Sequence, residues 1–62
     1  MEEQAARFNR TYANLTIGLR EEIVVVLDEV GPVTWNVAYV EVANKTELGA
    51  KILQQLDKLG II

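Results

Sequence analysis

The 62 residues of this chain make one domain, close to the lower limit for independent folding, because a chain of this size buries only about 60% of its unfolded surface. It has no cysteine and no histidine, which excludes a disulfide framework and removes the usual ligands of zinc, copper and thiolate chemistry, so neither a metal nor another cofactor is expected. The net charge of −3 argues against strong nonspecific attraction to a phosphate backbone, and no apolar run approaches the roughly 20 residues that cross a bilayer.

Met1 is followed by Glu2 and Glu3 instead of a basic segment and an apolar one, which reads as a cytoplasmic protein without a secretory signal. Charge is uneven along the chain. Residues 1–31 set Arg7, Arg10 and Arg20 against Glu2, Glu3, Glu21, Glu22, Asp28 and Glu29, whereas residues 44–62 set Lys45, Lys51 and Lys58 against Glu47 and Asp57.

From Phe8 the larger apolar residues fall at Phe8, Tyr12, Leu15, Leu19, Ile23, Val26 and Val30, three or four apart, which predicts helix with a heptad-like seam. Asn14 and Thr16 suit a helix start and Gly18 weakens a helix, so the stretch is one long helix or two in succession, ended by Gly31-Pro32. The stripe Phe8, Tyr12, Leu15 and Leu19 is expected to pair two chains into a homodimer, since so short a domain has little else for a long helix to cover. Residues 1–18 then form a dimerisation helix and residues 19–62 the core of the single domain.

A competing reading starts from IVVVLDEV, residues 23–30, where four consecutive Ile and Val residues favour a strand. With VTWNVAYVEV, residues 33–42, as a second strand, Gly31-Pro32 becomes a hairpin turn.

In the helical reading Thr34 caps a second helix whose face carries Trp35, Ala38, Tyr39 and Val42. Asn44 and Glu47 then form a capping box at the start of a third helix. Leu48, Ile52, Leu53, Leu56 and Leu59 make its buried stripe, and Gly60 stops it. The other side presents Lys45, Thr46, Ala50, Lys51, Gln54 and Gln55. Small, polar and basic side chains on a capped helix suit a major-groove reader, because Lys reaches phosphate or guanine and Gln pairs with adenine.

The run GPVTWNVAYVEVANKTELGAKILQQLDKLGII resembles the core of winged-helix and helix-turn-helix DNA-binding domains, with a PVT start to the second helix and an L..L..LG-I-I close to the recognition helix. The resemblance covers residues 19–62 without the wing. It implies a small transcription regulator that binds double-stranded DNA through residues 45–59, with Lys45, Thr46, Ala50, Lys51, Gln54 and Gln55 facing the duplex. Two positions depart from the pattern. Ala43-Asn44 replaces the turn glycine, and Gly49 replaces a medium apolar residue at about 1 kcal/mol of helix propensity relative to Ala.

The expected fold is therefore all-α: a helix-turn-helix-like trihelical domain with a long N-terminal helix. The α+β alternative places a two-stranded hairpin over residues 23–42. An enzyme is not expected, since the acid pairs Glu2-Glu3, Glu21-Glu22 and Asp28-Glu29 are sequence neighbours that diverge on a helix and no His or Cys serves as base or nucleophile. The rival function is a protein-interaction module or adaptor that binds no nucleic acid.

Overall fold

A computed structural model describes residues 2–62. The chain runs α1 (Glu2–Ala13), a single 3-10 turn (Leu19–Glu21), β1 (Ile23–Leu27), β2 (Gly31–Thr34), α2 (Trp35–Ala43) and α3 (Glu47–Lys58). The fold is α+β. This corrects the all-α expectation, and the hairpin alternative is the one that the chain adopts.

The long first helix ends at Ala13. Its dipole is matched by Glu2 and Glu3 in the first turn and Arg10 in the last. Beyond Ala13 the side chain of Asn14 donates to the Arg10 carbonyl at 3.0 Å, and Arg20 folds back so that Nε and Nη2 donate to the carbonyls of Tyr12 and Ala13 at 3.2 and 3.5 Å. These donors satisfy carbonyls that another helical turn would have used. The helical spacing from Ile23 to Val30 is coincidental, because branched side chains are strand formers and Gly31 supplies the turn that lets them pair.

β1 and β2 form an antiparallel pair with Val25 opposite Val33, Val26 opposite Pro32 and Leu27 opposite Gly31. A bulge between Ile23 and Val25 adds one residue to β1 before Ile23 meets Thr34. The Val30 amide donates to the Leu27 carbonyl at 3.3 Å, and Gly31 completes the reversal at φ +89°, a conformation that costs glycine little. The turn is residues 28–30 and not Gly31-Pro32, where the sequence alternative placed it; both of those residues belong to β2, which ends at Thr34 instead of Val42. Thr34 ends β2 and caps α2, accepting from the Val37 amide at 3.1 Å, and from Trp35 onward the chain is helical.

The start of α3 lies two residues later than the Asn44–Glu47 capping box placed it. Asn44 closes α2, its Nδ2 donating to the Val40 carbonyl at 3.0 Å. The cap of α3 is Thr46, whose Oγ1 accepts from the Gly49 amide at 2.9 Å and donates to Glu41 Oε1 at 2.6 Å. Lys45 supplies the left-handed residue of the turn at φ 55°, the role that a turn glycine would fill. At the other end the Ile61 amide donates to the Leu56 carbonyl and the Gly60 amide to the Asp57 carbonyl, with Gly60 at φ +76°. This is a Schellman stop.

Phe8, Val25, Leu27, Val33, Ala38, Val42, Ile52, Leu53 and Leu56 form the core. One face of the hairpin, both inner faces of α2 and α3, and one ring from α1 meet there. The glycine that is unfavourable for helix propensity is explained by α2. A Cβ on Gly49 would lie 2.5 Å from the Glu41 carbonyl oxygen and 2.8 Å from its carbon, so only glycine permits this crossing.

Gly49→Ala is expected to lower stability by roughly 1–3 kcal/mol in chemical denaturation, the overpacking cost outweighing the propensity gained. Thr46→Ala should cost about 1 kcal/mol as a lost cap, and Asn44→Ala clearly less.

Candidate interaction surfaces

The six side chains expected to face DNA do not share one face. Lys45, Lys51, Gln54 and Gln55 are exposed. Thr46 and Ala50 are half-buried, because α1 lies along that flank of α3: Gln4 Nε2 donates to Asp57 Oδ2 at 2.8 Å and Arg7 Nη2 stands 3.5 Å from Asp57 Oδ1. Thr46 is already committed to the cap and to Glu41. Ala50 and Thr46 line a cavity of about 260 Å³ with Glu2, Ala5, Gly49 and Leu53 among the other wall residues. That volume is smaller than the roughly 300–1,000 Å³ of typical small-molecule sites.

The exposed remainder of α3 is electrically mixed. Lys51 Nζ lies 3.3 Å from Glu29 Oε2 at the hairpin turn, and Glu47 is exposed in the first turn of the helix. Glu29 and Glu47 thus offset part of the positive charge of Lys45, Lys51 and Lys58.

The stripe expected between two chains is divided. Phe8 is fully buried inside this one chain, stacked on Trp35 with ring centroids 5.8 Å apart. Tyr12 has Tyr39 on its ring at 4.3 Å and an interplanar angle of 14°, the Arg20 guanidinium 4.3 Å from its centroid, and its hydroxyl donating to Asn36 Oδ1 at 2.7 Å. Both aromatic residues thus join α1 to α2. Leu15 is half-buried and Leu19 is 50% exposed, so these two are the members of the stripe with the most surface to offer a second copy.

A different surface stands out on the hairpin. Val25 and Leu27 point into the core, while Ile23 and Val26 are 58% and 66% exposed and Val30 at the turn is 51% exposed. Pro32 has no N–H, so Val26 and Pro32 cannot be a pair that exchanges two hydrogen bonds; their main-chain groups point outward, away from each other. The Val26 N–H and C=O therefore face the edge of β1 that no strand occupies among the described residues. The two edges differ. On β2 the proline sits where a partner would need a donor, a common protection of edge strands, and β1 has no such block. The helical reading of residues 23–30 concealed this surface, although the run IVVVL, followed directly by the acidic turn Asp28-Glu29 and then by Gly31-Pro32, carried its signal.

Among the described residues no helix is long and apolar enough to cross a membrane, and no group of three or more acidic side chains is placed to hold a metal ion. Comparison with protein-family models, with curated proteins and with solved structures finds no match to this chain.

Proposed function

We propose that this domain is a protein-interaction module that meets its partner through the hairpin. The observation that carries this reading is the exposure of Ile23 and Val26 on a strand with one vacant edge. Scattered apolar residues on a surface need no explanation, but apolar side chains beside unpaired main-chain donors and acceptors are a template for association. Net negative charge favours a protein partner over a phosphate backbone. No catalytic role is part of this reading, because the acid pairs on either side of β1 are exposed and there is no His or Cys to work with them.

A second reading is a DNA-binding regulator, acting as a homodimer, and it has its own support: α2 and α3 are successive helices joined by residues 44–46, and Lys45, Lys51, Gln54 and Gln55 are exposed on them and their turn. It has to tolerate Glu47 on the same helix and Glu29 on Lys51.

One comparison separates the readings. Immobilised wild-type chain is expected to retain proteins from a cell extract that Val26→Lys no longer retains and that Gln54→Ala still does; retention unchanged by Val26→Lys contradicts the module. Titrated with a randomised duplex pool at about 50 mM salt, where phosphate contacts are strong, the chain is expected not to bind. Selective binding whose salt slope falls by about one in Lys51→Ala would establish the regulator instead.

A further inference from the structure

β1 carries acid at both ends. Glu21 and Glu22 precede it, Asp28 and Glu29 follow it, and all four are exposed. Lys51 pairs with Glu29. Arg20, the nearest cation in sequence, is directed instead to the carbonyls of Tyr12 and Ala13. Between the acids the strand offers the side chains of Ile23 and Val26 and the outward main-chain groups of Val26. An edge of this kind binds by strand addition, in which main-chain hydrogen bonds supply affinity and alternate side chains supply selectivity.

Charge decides which strand fits. A second copy of β1 paired antiparallel about Val25 would set Glu22 against Asp28 and Glu21 against Glu29, one paired about Val26 would set Glu22 and Glu29 of the two copies within one residue of facing each other, and an in-register parallel copy would set each acid beside its own counterpart. Like charges placed opposite one another destabilise a strand pair. A segment with apolar residues in the middle and basic residues at its ends meets the opposite situation at every position, and the acidic ends also steer it to the edge from solution.

We propose that β1 is the acceptor edge for an extended segment of a partner protein, with apolar side chains at alternate positions over about the five residues of β1 and flanked at both ends by Lys or Arg. The proposal rests on the interaction-module reading and specifies the chemistry of the partner. Pro32 confines the addition to β1, since the edge of β2 lacks the donor at its centre.

The test is a titration of isotope-labelled protein with the peptide KKTVTVTKK at about 50 mM salt, where charge is weakly screened. Amide shift changes are expected to centre on β1 and to be largest at Val26. Affinity should fall by roughly tenfold or more for EETVTVTEE, and by as much for KKTVPVTKK, whose central proline removes a main-chain donor. The double variant Glu22→Lys, Asp28→Lys, altered only at exposed positions, should reverse the preference between the Lys-flanked and Glu-flanked peptides. Shift changes centred on α2 or α3, equal affinity for the proline peptide, or no binding at all would overturn strand addition. So would a dimer of the wild-type chain formed through β1 without peptide. If strand addition fails while Val26→Lys still abolishes capture, the module reading survives without this partner; if both fail, neither stands.

Discussion

The burial of Phe8 is the contact on which the arrangement depends. It is the one fully buried side chain of α1, and it places that helix against Trp35 of α2, with Tyr12 enclosed by Tyr39 and Arg20 one turn further on. Removing a buried Phe ring costs roughly 3–5 kcal/mol, against the roughly 3–9 kcal/mol that a chain of this length has in total. The polar links between α1 and α3 rank below it. Arg7 spreads over Glu3 at 3.8 Å, Asp57 at 3.5 Å and the Ile62 carbonyl at 3.4 Å, and these partly exposed, long contacts leave its Nε without a partner; such pairs contribute little. Aromatic packing holds α1, and the ion pairs tune where it lies.

The surface follows from that placement. With α1 along one flank of α3, Thr46 and Ala50 are half-buried and the face expected to meet DNA is reduced to Lys45, Lys51, Gln54 and Gln55, with Glu29 reaching across from the hairpin to Lys51. The close crossing of α2 and α3 at Gly49 fixes the helix pair independently of α1, and the hairpin packs its inner face, Val25, Leu27 and Val33, on the same core. The outer face of β1 is left over, as are the side chains of Ile17, Val37, Val40 and Leu59 elsewhere on the surface. A two-stranded sheet cannot bury both faces and both edges in a domain this small, and the sequence protects one edge with Pro32 while leaving the other open.

Much of the second half was legible because its signals are local. Thr34 as a cap, Ile52, Leu53 and Leu56 in the buried stripe, and Gly60 as a stop each depend on neighbours within a turn and are found where the residues place them, whereas of the other two residues expected in that stripe Leu48 is half-buried and Leu59, just past the end of α3, is 60% exposed. The start of α3 was misplaced because Asn44, Thr46 and Glu47 are all acceptable near a helix start. What selects Thr46 is the tertiary contact with Glu41 together with the left-handed conformation of Lys45, neither of which is visible in composition. The first half misled for a different reason. Ile23, Val26 and Val30 continue a three-four spacing begun by Phe8 and Tyr12, yet the competition is decided by Arg20 capping α1 from eight residues away and by pairing of Ile23–Leu27 with Gly31–Thr34. Of the candidate surfaces, the face of α3 was read from residue types alone, whereas the vacant edge required knowing that residues 23–27 are a strand.

The claim that most of the functional reading depends on is that the edge of β1 is open in the folded chain. Residue-resolved amide hydrogen exchange measures this directly, since protection reports which N–H groups are bonded and covered. Val25 and Leu27, bonded across to β2, should exchange slowly, and Val26 between them should exchange nearly as fast as an unstructured amide. Slow exchange at Val26 equal to that of its neighbours would mean that the edge is already covered, by a second copy or another segment, and would contradict the account.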